Sequence, residues 1–83
     1  MYAPAILRRA QKELAALPQE PYMRVRDAIR QLTAEPRPGG SKKLTGRTAW
    51  RIRVASYRVV YEIDDDNRLI TIMHIGHRRD IYR

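Results

Sequence analysis

From Trp50 to Tyr61 apolar and polar positions alternate with a period of two. Trp50, Ile52 and Val54 interleave with Arg51 and Arg53, then Tyr57, Val59 and Tyr61 interleave with Arg58 and Val60. This is the pattern of two half-buried strands. A two-residue turn at Ala55-Ser56 joins them into a hairpin in which Val54 faces Tyr57, Ile52 faces Val59 and Trp50 faces Tyr61. One face of the hairpin is then apolar and aromatic throughout, and forms the core. The same register sets Arg53 directly opposite Arg58, with Arg51 two residues along, so the other face carries three guanidinium groups.

Ahead of the hairpin the period is helical. Leu7, Ala10, Leu14 and Leu17 recur at spacings of three and four, which predicts a helix from Ile6 until Pro18 stops it. Pro21 suits the first turn of a second helix, whose stripe of Tyr22, Val25, Ile29 and Leu32 runs until Pro36. The two form an antiparallel helical hairpin with a short connection. Before them, residues 1–5 leave room for a brief edge strand around Tyr2, limited by Pro4. The stretch from Glu35 to Gly46 is crowded with proline and glycine and reads as a loop; its Gly-Gly-Ser-Lys lacks Walker spacing and a strand to feed it. Asp64 to Asn67 make a polar surface turn, and Leu69 to Ile75, apolar on both faces, predict a strand inside the sheet. The expected fold is α+β: a helical hairpin on one face of a small, twisted, mainly antiparallel sheet of three to four strands, with the opposite face open.

At 83 residues the chain is a single domain spanning 1–83, able to bury about 60 to 65% of its unfolded surface, and a multidomain enzyme is excluded. It has no cysteine, hence no disulfide, thiol nucleophile or thiolate metal site, which fits a reducing compartment. No apolar run is long enough to span a bilayer, and Arg8 and Arg9 fall where a signal peptide needs its apolar core, so a cytoplasmic protein is expected. The net charge of +8 and pI near 10.6 call for an acidic partner. The charge is clustered: Lys42, Lys43, Arg47, Arg51, Arg53 and Arg58 fall in a stretch without one acidic residue, and Arg78, Arg79 and Arg83 crowd the C-terminus. These cations sit on strands and loops rather than on an amphipathic helix, which disfavours a membrane surface.

Three stretches, Lys-Lys-Leu-Thr-Gly at 42–46, the hairpin at 50–61 and Ile-Gly-His-Arg-Arg-Asp-Ile-Tyr at 75–82, follow a helical hairpin in that order. Together they resemble the RelE/ParE superfamily of type II toxin-antitoxin toxins over nearly the whole chain, and the RelE branch most. The resemblance implies a RelE-like fold and an endoribonuclease that cuts messenger RNA in the ribosomal A site, inhibiting translation. It implies no cofactor, and a RelB-like antitoxin, acidic and partly disordered, as partner. Carried over by position, the paired basic residues of the first hairpin strand are Arg51 and Arg53. The strand arginine of the Tyr-Arg-Val-Val-Tyr motif is Arg58, the arginine after the Gly-His step is Arg78, and the near-terminal tyrosine is Tyr82. The chain departs from the pattern by ending at Arg83, where many members continue into a further helix.

RNA brings its own nucleophile, because each 2′-hydroxyl sits beside the phosphate it can attack. A protein need only align it, move two protons and stabilise charge on the phosphoryl group. Arg51, Arg53 and Arg58 suit the last task but not the first proton transfer, since guanidinium does not deprotonate near neutrality. Tyr82 would be the base, its phenol pulled down by guanidinium neighbours, and Arg78 would steady the leaving 5′-oxygen. Lys42, Lys43, Arg47, His77 and Arg79 are expected to hold RNA. His74 and His77 fall on opposite faces of a strand, so no zinc pair is expected; His74 is placed on the core side and His77 near the site. Two other readings stay open: a ParE-like toxin that inhibits DNA gyrase, and an inactive nucleic-acid-binding module of the same fold.

Overall fold

The computed structural model describes residues 1–46 and 48–77. Its elements run β1 (Ala3–Ile6), α1 (Arg8–Ala15), α2 (Gln19–Ala34), β2 (Lys42–Lys43), β3 (Ala49–Val54), β4 (Tyr57–Asp64) and β5 (Leu69–His77). The strands form one sheet in the order β1-β5-β4-β3-β2, antiparallel except for the parallel β1–β5 pair. The α+β layout stands, with five strands rather than the three to four expected.

The addition is β2, and it lies, like the expected short β1, at a sheet edge, where sequence patterns are weakest. β2 is two residues inside the breaker-rich stretch, paired to Arg51 and Trp50 and continued by the Leu44 N–H, which donates to the Ala49 carbonyl at 2.8 Å. β1 extends to Ile6, so α1 starts at Arg8 and not at Ile6. The N–H groups of Ala3 and Leu7 donate to the carbonyls of Arg68, just before β5, and of Ile72 within it, at 2.8 and 3.0 Å. By alternation the nitrogen of Pro4 faces the open edge, where a missing N–H breaks no ladder bond.

The central hairpin has the register that its alternation demands: Trp50 opposite Tyr61, Ile52 opposite Val59, Arg53 opposite Arg58 and Val54 opposite Tyr57. Its turn holds Ala55 at φ 55°, the left-handed conformation that the first central residue of a primed turn requires. Ile52, Val59 and Tyr61 then meet Ile70, Ile72 and Ile75 of β5 and, from the helices, Ala10, Val25, Ile29 and Leu32. Each fully buried aliphatic chain of this set contributes about 1.5–3 kcal/mol, so the core outweighs any single surface interaction.

β5 carries a bulge. Tyr61 pairs with Ile72 but its neighbour Val60 pairs with His74, leaving Met73 as the extra residue. Counting by twos from Ile70 and Ile72 puts His74 on the core face, as the sequence suggested. The bulge reverses this: Ile75 enters the core, while His74 and Gly76 join the row of Val60 and Arg58.

The loop after α2 is tied to the sheet at several points. The buried Tyr61 hydroxyl donates to the Pro36 carbonyl at 2.7 Å. Arg37 reaches Asp65 at 3.0 Å and lies 5.3 Å over the Trp50 ring, and the Tyr2 hydroxyl donates to the same carboxylate. Arg37, then Tyr2, holds Asp65 below the ordinary carboxylate value of 3.8. That contribution is present above 3.8 and fades as pH falls through the lowered value.

Burial pushes the Tyr61 phenol from 10.0 up to about 12, against the opposing pull of the Ser41 hydroxyl and Arg37. Between those values the unfolded chain gives up its proton and the folded chain keeps it, so stability is intact below pH 10 and declines from there to 12. Tyr61→Phe is expected to lower stability at pH 7 by about 1 kcal/mol, the worth of the lost hydrogen bond. It is also expected to flatten the alkaline decline, with part left because Tyr2 is raised too. Urea unfolding at pH 7, 10 and 11.5 measures both effects; an alkaline decline as steep in the variant refutes the assignment.

Candidate functional site

On the sheet face away from the core, cross-strand pairing lines the cations up in two rows. One row runs Lys42, Arg51, Val60, His74 and the next runs Arg53, Arg58, Gly76. Direct cross-strand neighbours hold their Cβ atoms about 4.5–5.5 Å apart, so Arg51, Arg53, Arg58 and Lys42 share a patch small enough for one phosphate and its flanking sugars. Gly76 adds no bulk at its end of the second row.

The face is not evenly open. Arg51 is only 7% exposed and Val60 likewise 7%, whereas Arg53 and Lys42 are exposed and Arg58 is half-buried. Arg51 and Val60 lie on interior strands, and their burial is not revealed by the alternation pattern. Among the described residues Arg51 is the buried charged side chain. A guanidinium there acts as a fixed positive field under the patch, while Arg53, Lys42 and the half-buried Arg58 are in reach of a ligand.

The remaining expected site residues divide. Lys43 pairs with Trp50 and so belongs by register to the aromatic side, apart from Lys42. His77 pairs with Tyr57 and sets its ring edge-on to that ring, centroids 5.8 Å apart, also on the aromatic side. Arg47, Arg78, Arg79 and Tyr82 lie outside the described residues. Among the described residues no group of three or more His, Asp or Glu could hold a metal ion.

Two features escaped sequence reasoning. Lys42 joins the arginine rows only because two residues of a loop pair with β3, and nothing in a run of prolines and glycines announces that register. A cleft of about 450 Å³ also opens between α2 and the unpaired edge of β3, with Leu32, Ile52 and Val54 as apolar wall and Lys42, Arg51 and Arg53 along its rim. It arises because β2 stops after two residues.

Chemically, the patch offers forked N–H donors and permanent charge on a rigid strand pair, which suits phosphate oxygens. Guanidinium takes up no proton near neutrality, so the arginines serve as charge and not as a base.

Two helices on one face of a five-stranded mixed sheet, with Arg51, Arg53 and Arg58 on the other, match the fold of solved RelE toxins. The structure superposes on a chain of the archaeal RelE–RelB complex from Pyrococcus horikoshii with a TM-score of 0.84 at 28% identity, covering 95% of this chain and 97% of that one. It matches a chain of the RelBE2 toxin-antitoxin complex of Mycobacterium tuberculosis at 0.82 and 26% identity, covering 93% and 98%. With the isolated Escherichia coli RelE toxin the TM-score is 0.82 at 21% identity, covering 99% and 92%, a likeness of fold alone. Toxin RelG of M. tuberculosis is 45% identical over 31 residues, 37% of this chain, so the match spans about a third (36%) of that relative's length. The model of the ParE toxin of type II toxin-antitoxin systems matches residues 5–82, and the chain belongs to that family.

Arg53 opposite Arg58 is an unfavourable pair, since like charges directly across a sheet cost about 0.2–1 kcal/mol. Arg53→Thr, which keeps a good strand former at an exposed position, is therefore expected to stabilise the protein by a few tenths of a kcal/mol. The gain should shrink as salt rises. Thermal unfolding at low and high ionic strength tests this; a variant less stable than the parent at low salt sinks the repulsion argument.

Proposed function

We propose that this toxin is an endoribonuclease that cuts messenger RNA in the ribosomal A site by attack of a 2′-hydroxyl on the adjacent phosphate, and so inhibits translation in the cytoplasm. The observation that carries the reading is the cross-strand Arg53–Arg58 pair with Arg51 and Lys42 in the adjoining row. Such a patch costs stability and has its use in holding a phosphoryl group as negative charge accumulates on it. Arg53 and Arg58 contact the phosphate and Arg51 supplies charge from beneath. The proton taken from the 2′-hydroxyl goes to Tyr82 and the leaving 5′-oxygen is steadied by Arg78, leaving a 2′,3′-cyclic phosphate. Lys42, Arg47 and Arg79 guide the strand, while Lys43 and His77, expected to join them, lie by register on the aromatic side. No metal or organic cofactor takes part. A site this poor in acid–base groups gains from substrate preorganised by the ribosome.

Two of the structural neighbours, from M. tuberculosis and P. horikoshii, come from RelB–RelE toxin-antitoxin complexes. A RelB-like antitoxin, acidic and partly disordered, is the partner proposed here, and the net charge of +8 favours it. No helix among the described residues is long and apolar enough to cross a membrane. A second reading follows from the name of the matching family model: a ParE-like toxin that inhibits DNA gyrase without cutting RNA.

Expression in cells with mapping of transcript ends separates the two. Codon-positioned cuts in translated messages support the nuclease, and DNA damage with intact messages supports gyrase inhibition. Arg58→Ala is expected to lower cleavage about 100-fold or more, as loss of a charge-stabilising donor does. Tyr82→Phe is expected to cost about 100-fold or more as loss of the base, and Arg78→Ala to abolish detectable cutting. Unimpaired cutting by all three folded variants would remove the mechanism.

A further inference from the structure

β1 stops at Ile6, opposite Ile72, so the last part of β5 has an open edge on that side. α1 fills it. Oε1 of Glu13 accepts the Ile75 N–H at 3.0 Å and lies 2.9 Å from Nδ1 of His74, while Oε2 lies 2.7 Å from the same nitrogen. Arg9, one turn earlier on α1, closes the triangle, with Nε 3.5 Å from Glu13 and an Nη 3.4 Å from His74 Nε2. Glu13 and His74 are both mostly buried, their side chains 24% and 20% exposed. These contacts fall immediately after the bulge at Met73, on the residues whose phase the bulge reverses.

Resting on the nuclease reading, we propose that Glu13 is a positioning residue for cleavage. Without the clamp the end of β5 has two registers available, one residue apart, and only the bulged one sets Gly76 opposite Arg58. In the unbulged register Ile75 would take Gly76's place beside Arg58 and His74 would turn into the core. A carboxylate that accepts from the Ile75 amide and the His74 ring together fits the bulged register alone, because it needs Ile75 N–H and His74 on the same open edge. Glu13 touches none of Arg51, Arg53 or Arg58 and acts through the strand that carries Gly76 and leads into Arg78. It therefore bears on the rate of the chemical step more than on RNA affinity.

Glu13→Ala is expected to lower kcat about 100-fold, the scale set by ångström misplacement of reacting groups, with KM for RNA unchanged. Glu13→Gln, which still offers an oxygen to the Ile75 amide and an N–H to the other His74 tautomer, is expected to restore most of the rate. The second readout is amide exchange at Ile75 and the Arg58–Gly76 cross-strand proton contact by NMR. Both protection and contact are expected to be lost in Glu13→Ala and kept in Glu13→Gln. A Glu13→Ala protein with parental kcat, or with the Arg58–Gly76 contact intact, overturns the proposal. If the parent protein cuts no RNA, the nuclease reading falls by itself and the NMR contact alone decides for or against the positioning role. Should Glu13→Ala fail to fold, Glu13→Met, which keeps the bulk and removes the acceptor, carries the same two readouts.

Discussion

Burial of the aromatic and aliphatic face of the β3–β4 hairpin against the helical layer is the constraint from which the rest of the molecule follows. Period two makes that burial all or nothing: a slip of one residue would turn Ile52, Val59 and Tyr61 outward together. Each of those side chains is worth about 1.5–3 kcal/mol buried, whereas Arg53 facing Arg58 costs about 0.2–1 kcal/mol. The core wins by a wide margin. The arginines are thus opposed because their neighbours in sequence are held, and a cation patch can be kept without risk to the fold.

The β5 bulge extends this logic to the third strand. An uninterrupted strand would carry the alternation of Ile70 and Ile72 through to His74 and bring the bulky Ile75 beside Arg58. One extra residue at Met73 sends Ile75 into the core and Gly76 to the cation side, so the patch ends on the smallest residue available. The bulge and the open edge meet where α1 reaches across with Glu13, which makes the helical layer a support for the site as well as a cover for the core.

At the opposite edge the sheet is held by other means. β2 is too short to secure the loop that leads into it, and Tyr61, Arg37, Trp50, Asp65 and Tyr2 do so instead, through one buried hydroxyl, one ion pair and one guanidinium over a ring. The brevity of β2 leaves the far part of β3 unpaired and opens the cleft beside Arg51 and Arg53. Membership of the ParE toxin family places this arrangement among the toxins of type II toxin-antitoxin systems.

Much of this was legible along the chain. The hairpin register, the two helices, the interior place of β5 and the grouping of Arg51, Arg53 and Arg58 follow from periods of two and 3.6, because local alternation is what burial on one face selects. Edge strands were not legible: β2 and the far end of β1 owe their existence to partners distant in sequence, and Ile6 satisfies a helix and a strand equally. Nor were the sides taken by His74 and His77, since a bulge leaves no mark in composition while reversing everything after it. The burial of Arg51 and the reach of Glu13 to Ile75 belong to the same class, for each depends on which element happens to lie alongside, and only the packed chain decides that.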